Sequence, residues 1–140
     1  MKILVPVDGS KSALNAVKYA AKLSANMRST DTVTLITVHD DQGLRHAKQL
    51  VGKAEVDDYL RELSDKELKT SLAVLKKAGI HYTSIIQTGH VAAVIASTAN
   101  KGYDMVIMGT KGRSALADLL MGSVAQRVVA ACKKPVVLVK

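Results

Sequence analysis

The sequence predicts an α/β domain built on a five-stranded, doubly wound parallel sheet with helices on both faces. Three observations carry the prediction. Short apolar, β-branched runs alternate with segments of helical periodicity in the order βαβ(loop)αβαβαβ, and strands separated by helices pair in parallel through right-handed crossovers. The runs are apolar on both faces, as expected of strands that helices cover from two sides. The chain has 140 residues, which fits one domain, 1–140, with a single core.

The elements follow in order. Lys2–Val7 (KILVPV) is a buried strand ending in the turn Asp8-Gly9-Ser10. Pro6 is tolerated because it stands at the C-terminal end of that strand, where a missing donor matters least. Ser10 caps a helix over 11–27, in which Leu14, Val17, Ala20, Ala21 and Leu23–Ala25 recur at helical spacing. Asp31–Val38 (DTVTLITV) is the second strand, rich in β-branched residues. The polar, mixed stretch His39–Gly52 reads as a loop with helical turns.

A long helix spans Lys53–Ala78. Its apolar positions Val56, Leu60 and Leu63, then Leu68, Leu72 and Leu75, show a phase slip near Ser64. One continuous helix with a slip is the preferred reading; the alternative is a restart through the capping box Ser64-x-x-Glu67. Gly79 ends the helix. His81–Gln87 is the third strand, turned by Thr88-Gly89. Val91–Ala99 is a short apolar helix closed by Gly102, and Tyr103–Met108 is the fourth strand. Gly109–Gly122 is a loop with some helical content, Ser123–Cys132 the last helix and Pro135–Val139 the last strand. The doubly wound order predicts a crevice at the C-terminal ends of two adjacent strands, where the winding reverses.

Composition narrows the function classes. Apolar residues make up 48% and charged residues 23%, which is the composition of a folded chain. One cysteine cannot build a disulfide framework, and a reduced, cytoplasmic setting is the expectation. No stretch approaches the roughly 20 apolar residues of a spanning helix, and the apolar run after Lys2 is too short for a signal peptide. The chain has four Tyr and neither Phe nor Trp, so it lacks the ring platforms on which single-stranded nucleic acid stacks. The net charge is +8, of which +5 falls in the last 40 residues (7 basic against 2 acidic). Nucleic acid binding would rest on this charge alone, and an anionic small ligand would draw on the same field.

The first strand–helix turn, Val7-Asp8-Gly9-Ser10, carries neither the G-x-G-x-x-G dinucleotide fingerprint nor the G-x-x-x-x-G-K-[ST] phosphate loop. It does set one carboxylate, Asp8, at a strand's C-terminal end. That carboxylate accepts either from a ribose hydroxyl or from its own turn. The more informative segment runs Gly109-Thr-Lys-Gly112-Arg-Ser-Ala-Leu-Ala-Asp-Leu-Leu-Met-Gly122-Ser123, a G-x-x-G-x9-G-S spacing that begins directly after an apolar strand. Glycines let backbone approach a ligand closely, consecutive amides form an anion nest, and a helix beginning at Ser123 and Val124 adds donors and the positive end of its dipole. Lys111 and Arg113 add charge or are simply solvated. These features suit phosphate at two or more sub-sites. The structural alternative is that Gly109 ends a strand, Gly112 makes a turn and Gly122 permits close packing. If the first and fourth strands are neighbours, this loop and Asp8 flank one crevice.

These residues resemble the universal stress protein family, in its nucleotide-binding branch. The likeness lies in the opening Ile3-Leu-Val-Pro-Val-Asp8-Gly-Ser10, in Val106-Ile-Met-Gly-Thr-Lys-Gly112-Arg, in Gly122-Ser123-Val124 and in the closing Lys134-Pro-Val-Val-Leu-Val139. It covers nearly the whole chain and is weakest over 40–60. The resemblance implies a Rossmann-like sheet of order 3-2-1-4-5 and an ATP ligand accompanied by Mg²⁺ or Mn²⁺. It implies that Asp8 holds the ribose, that Val38 meets adenine through its backbone, and that Gly109, Gly112, Gly122, Ser123 and Val124 hold the phosphates. With Pro6, Val7, Met108 and Arg113 these make up the candidate cofactor-binding set; no metal ligand is assigned. His39, beside Val38, reads as a polar strand-end residue, with contact to the base as the alternative.

The resemblance also implies a homodimer through Pro135–Val139, an apolar edge at the chain end that a second copy would close. In-line phosphoryl transfer needs a positioned base and metal carboxylates. With Asp8 on the sugar, only Asp118 remains in the loop, so hydrolysis is expected to be slow at most. An ATP-independent dimeric module and a true phosphoryl-transfer enzyme are the competing readings. Cys132 reads as an inert thiol on an apolar helix face, and Lys133-Lys134 as complements to a helix C-terminus. Gly109→Val or Gly122→Val is expected to remove bound nucleotide without unfolding the domain.

Overall fold

In a computed structural model, which describes residues 1–27, 30–112 and 121–140, the five strands are β1 (Lys2–Pro6), β2 (Thr32–Asp40), β3 (His81–Gly89), β4 (Met105–Gly109) and β5 (Val136–Val139). They form one sheet in the order β3-β2-β1-β4-β5, parallel throughout. The helices are α1 (Lys11–Asn26), α2 (Asp41–Val51), α3 (Lys53–Lys77), α4 (Val91–Asn100) and α5 (Ser123–Ala131). The expected fold class and strand order are both present.

Two aliphatic cores sandwich the sheet. On one face Ile3, Val5, Val33, Leu35 and Ile107 meet Ala16, Val17 and Ala20 of α1 and Leu68 and Leu75 of α3. On the other, Leu4, Ile36, Val106 and Met108 meet Ala92, Ile95 and Ala99 of α4 and Ala125 and Val128 of α5. The small residues of α1 let that helix sit close to the sheet, and its first turn is capped by Ser10, whose hydroxyl accepts from the Ala13 amide at 3.1 Å. Among the described residues, no helix is long and apolar enough to cross a membrane.

The structure corrects the expectations for α2, β3 and the start of β4, and α3 is the continuous helix of the preferred reading. Residues 41–51 form the helix α2 rather than a loop with helical turns. Leu44, Ala47 and Val51 recur in it at helical spacing, but the segment is polar on average and none of its residues is buried; Asp40 caps it by accepting from the Gln42 amide at 3.0 Å. Gly52, at φ 96°, breaks it from α3. The phase slip in α3 is a substitution of polar for apolar residues on one unbroken stripe: Val56, Leu60, Ser64, Glu67, Leu68, Ser71 and Leu75 are all buried. The helix therefore runs on through Ser64 with no restart. β3 continues through Thr88 and Gly89, which register with His39 and Asp40, and most of β3 is exposed. Apolarity on both faces holds for the inner strands and not for this edge. The β4 boundary also shifts, to Met105, because the Tyr103 amide still serves α4 by donating to Ala99.

Candidate functional site

β1 ends before either of its neighbours does in the sheet register. Its last registered pair with β2 is Pro6↔Ile36, and the Val7 amide makes the final bond, to Ile36 O at 2.8 Å. β2 runs on to Asp40 and β4 to Gly109, each supported on its far side by β3 or β5. The result is a notch above the end of β1. Amide and carbonyl of one strand residue point to the same side and alternate along the strand. Because Ile36 faces β1, so does Val38, and β1 has no residue in register with it. Val38 therefore presents its backbone donor and acceptor to the notch.

The notch opens into a crevice lined by Pro6, Val7, Asp8, Val38, Met108, Gly109, Gly112 and Val124 of the expected set. Ala13, Ile36, Val91, Ile95, Lys111 and Ala125 line it as well. The deep wall is aliphatic and the mouth is polar, with Asp8 and Lys111 as the ionisable lining residues among those described. About 80 Å³ is enclosed, below the roughly 300–1,000 Å³ of typical small-molecule pockets. A ligand larger than a ring system must keep its remainder at the mouth or part the walls. A larger concavity, about 530 Å³, lies between Gln87 of β3 and the outer face of α4. Among the described residues its lining has no carboxylate.

At the mouth, Asp8 closes its own turn and faces the glycine loop. Its Oδ1 accepts from the Ser10 amide at 2.9 Å, closing the turn. Its Oδ2 stands in front of Gly112, 3.1 Å from where a Cβ would be. The two strand ends thus converge as the motif spacing implied. Gly109 has a different reason to be glycine. A Cβ there would strike Ser12, at 2.7 Å from its carbonyl carbon and 2.8 Å from its oxygen. Gly109 admits α1 to the sheet, a packing role that the structural alternative had given to Gly122 while leaving Gly109 only to end a strand.

Several loop amides are already engaged. Thr110 donates to Val139 O at 3.0 Å, Lys111 to Ser12 Oγ at 3.3 Å and Gly122 to Thr110 O at 2.6 Å. The anion-facing donors narrow to Gly112 and the start of α5. There the N-cap is Gly122, which offers no side-chain cap, and the first turn carries no acidic residue. Ser123 is exposed and Gly122 buried behind the loop. Arg113 and Asp118 lie outside the described residues.

His39 does not reach the crevice. Its Nε2 is 2.6 Å from Ser64 Oγ, on the α3 face. The Ser64 hydroxyl donates to Leu60 O at 2.7 Å, so its single hydrogen is spent and His39 Nε2–H is the donor. Sequence reasoning missed Ser12, whose only signal is long-range, and missed Val91 and Ile95, which read as ordinary core residues of α4. Among the described residues, no cluster of three His, Cys, Asp or Glu could hold a metal ion.

The chain matches the Universal stress protein family over residues 1–140. It is 30% identical to Universal stress protein MJ0577 of Methanocaldococcus jannaschii, across 99% of this chain and 94% of that protein. The solved structure of hypothetical protein MJ0577 superposes with a TM-score of 0.85 at 28% identity, covering 99% of this chain and 94% of that one. Two others share the fold at lower identity. One is a universal stress protein in complex with cAMP (TM-score 0.74, 24% identity, 100% of this chain and 97% of that one). The other is the universal stress protein of Archaeoglobus fulgidus in complex with dAMP (TM-score 0.70, 22% identity, 100% and 98%). The family match spans every element that builds the notch: the chain belongs to the Universal stress protein family.

Proposed function

We propose that this chain binds ATP in the notch above β1 and serves as a stress-response regulatory protein rather than an efficient enzyme. The observation that carries the reading is the convergence, on one crevice, of an open backbone edge at Val38, a carboxylate at Asp8 and a glycine-led helix start. An adenine seats against the aliphatic wall and Val38, Asp8 takes the ribose, and Gly112, Gly122, Ser123 and Val124, with Lys111 and Arg113, face the phosphates. The cAMP and dAMP complexes support the reading at the level of the fold, which accommodates adenine nucleotides. Among the described residues, Asp8 is the one carboxylate in the lining. Mg²⁺ or Mn²⁺ fits only as an ion carried by the phosphates and water, the usual way Mg²⁺ accompanies a nucleotide. That donor set favours holding ATP over cleaving it.

The same reading pairs β5 with its copy in a second chain, in the cytoplasm. All four β5 residues are half-buried and one edge of the strand has no neighbour in the sheet, the situation in which antiparallel pairing closes a sheet. The test is the ultraviolet and mass spectrum of ligand released from freshly purified protein, followed by calorimetry with ATP and Mg²⁺. Adenylate in the extract and a saturable heat are expected. An empty extract with flat calorimetry refutes the site and leaves an ATP-independent module. A single-turnover assay with labelled ATP separates slow hydrolysis from none.

A further inference from the structure

The opposite edge of the sheet carries a feature that nucleotide binding does not use. β3 registers with β2 along all nine of its residues without a bulge, and in the sheet order its other side has no neighbour. Proteins ordinarily blunt such an edge with Lys, Pro, inward charges or a bulge. His-Tyr-Thr-Ser-Ile-Ile-Gln-Thr-Gly has no Lys, Arg, Asp, Glu or Pro, in a chain of net charge +8. Of the nine large apolar side chains exposed among the described residues, five belong to β3 or to α2 and α3, two of the three helices that contact it: Tyr82, Ile86, Leu50, Val51 and Tyr59. The β5 edge is the contrary case, four residues bracketed by Lys133, Lys134 and Lys140.

The pairing pattern can be worked out residue by residue. In β2, Ile36 directs its amide and carbonyl to β1, so Leu35, Thr37 and His39 direct theirs to β3. In a parallel ladder each of these bonds the residues flanking its register partner. Leu35 registers with Ser84 and Thr37 with Ile86, so Thr83, Ile85 and Gln87 face inward. Tyr82, Ser84, Ile86 and Thr88 turn their backbone groups outward. A second strand laid antiparallel about a two-fold axis through Ile85 sets Ser84 against Ile86 and Tyr82 against Thr88. These are hydrogen-bonded pairs, and they satisfy every outward amide and carbonyl. Ile85 meets its own copy as a non-hydrogen-bonded pair. Shifting the register by two residues leaves some of those groups unpaired.

We propose that β3 is a self-recognition edge, at which a second copy of this chain adds antiparallel about a two-fold axis at Ile85. The occupant is a copy because the edge pairs with itself in register and the strand is itself uncharged, so that two chains of net charge +8 meet along it without opposing charges in the ladder. A strand pair alone falls short of the roughly 1,200 Å² of a stable interface, and the exposed apolar side chains of α2 and α3 supply the remainder. This edge lies across the sheet from β5, so its use is independent of pairing there and of nucleotide.

The experiment uses the full chain with Cys132→Ser. Paired Cα atoms in a non-hydrogen-bonded pair stand about 4.5 Å apart, within disulfide range. Ile85→Cys is therefore expected to cross-link to a dimer under mild oxidation, and Ser84→Cys, whose copy is offset along the strand, to cross-link far less. In sedimentation, Ser84→Lys with Ile86→Lys sets lysines against lysines and is expected to weaken self-association about 100-fold or more, with an unchanged melting temperature. Val137→Lys, on β5, leaves the Ile85→Cys cross-link intact. The proposal is overturned if Ile85→Cys links no faster than Ser84→Cys, if the double lysine variant associates like the parent, or if the cross-link captures a foreign polypeptide instead of a copy.

Discussion

Gly109→Ala tests the account of how the sheet and α1 approach each other. Gly109 has no positive φ, so conformational freedom is not why glycine stands there. Proximity is: the added Cβ would lie 2.7 Å from the Ser12 carbonyl carbon and 2.8 Å from its oxygen, and nearer still to its Oγ. Ordinary contacts begin near 3.4 Å, so the first turn of α1 must retreat by roughly half an ångström or more. The obstacle is helix backbone and cannot rotate away. Retreat loosens Ala13, Ala16 and Val17, which are at most 5% exposed. Overpacking of this kind costs about 1–3 kcal/mol, or about 4–10 °C in melting temperature for a chain of this size.

Gly102→Ala is the matched control. A Cβ there meets nothing within 4 Å, so its cost stays within about 0.5 kcal/mol. Urea denaturation of the two variants beside the parent reads the difference directly. If Gly109→Ala melts with Gly102→Ala, the close approach of α1 to β4 is wrong. The result also revises an expectation drawn from sequence. Gly109→Val would perturb the fold before it reported on a ligand, and Gly122, where a Cβ stands 3.4 Å from the Gly112 amide and the Thr110 carbonyl, is the position at which to block the site.

Three further outcomes follow from named contacts. Asp8→Asn keeps an acceptor for the Ser10 amide and removes the charge; ATP affinity is expected to drop about 10-fold or more, and discrimination between ATP and its deoxyribose analogue to shrink, whereas an unchanged ratio would mean that Asp8 does not read the sugar. Ser12→Ala leaves the Lys111 amide without its acceptor, at about 0.5–1.5 kcal/mol, and titration should show ATP weakened more than adenosine, since only the phosphate side of the loop is anchored there. Ser64→Ala removes the hydroxyl that joins His39 to α3 and is expected to cost about 1–2 kcal/mol by urea denaturation with ATP affinity unchanged; a matching loss of affinity would place His39 in the site after all.

What could be read in advance was whatever has a local signature. The alternation of apolar strands with helices and the Ser10 cap each depend on residues close in sequence. α2 was opaque because its segment is polar on average, which masks the helical spacing of Leu44, Ala47 and Val51. α3 misled because Ser64, Glu67 and Ser71 occupy its buried stripe, where the Ser64 hydroxyl bonds Leu60 and His39 and Glu67 lies beneath Gly9, with its Cγ 3.2 Å from that glycine's Cβ position. The site divides in the same way. Asp8 and the glycine spacing were visible, but the role of Gly109 rests on a helix nearly a hundred residues away in sequence, and Ser12 had no local mark at all.

Base choice depends on the notch itself. β1 stops at Pro6 while β2 continues, so Val38 offers an amide and a carbonyl side by side where a longer β1 would have bonded them. Adenine presents an acceptor at N1 and a donor at N6, adjacent and in the order that complements such a pair, so under the proposed function the base would complete the ladder as a strand does. Guanine presents a donor at N1 and an acceptor at O6, the reverse order. To match Val38 it must turn over, and turning over carries its ribose away from Asp8. Either the edge or the sugar is then left unsatisfied, at about 1–3 kcal/mol, so ATP should displace a bound fluorescent ATP analogue at concentrations about 10-fold or more below those of GTP. ITP, which shares the edge of guanine, should follow GTP, and purine riboside triphosphate, which keeps N1 and lacks the N6 donor, should fall between. Equal displacement by all four would mean that the aliphatic wall of Ile36, Val91, Ile95 and Met108 holds the base by burial alone, and that the open edge of Val38 plays no part in recognition.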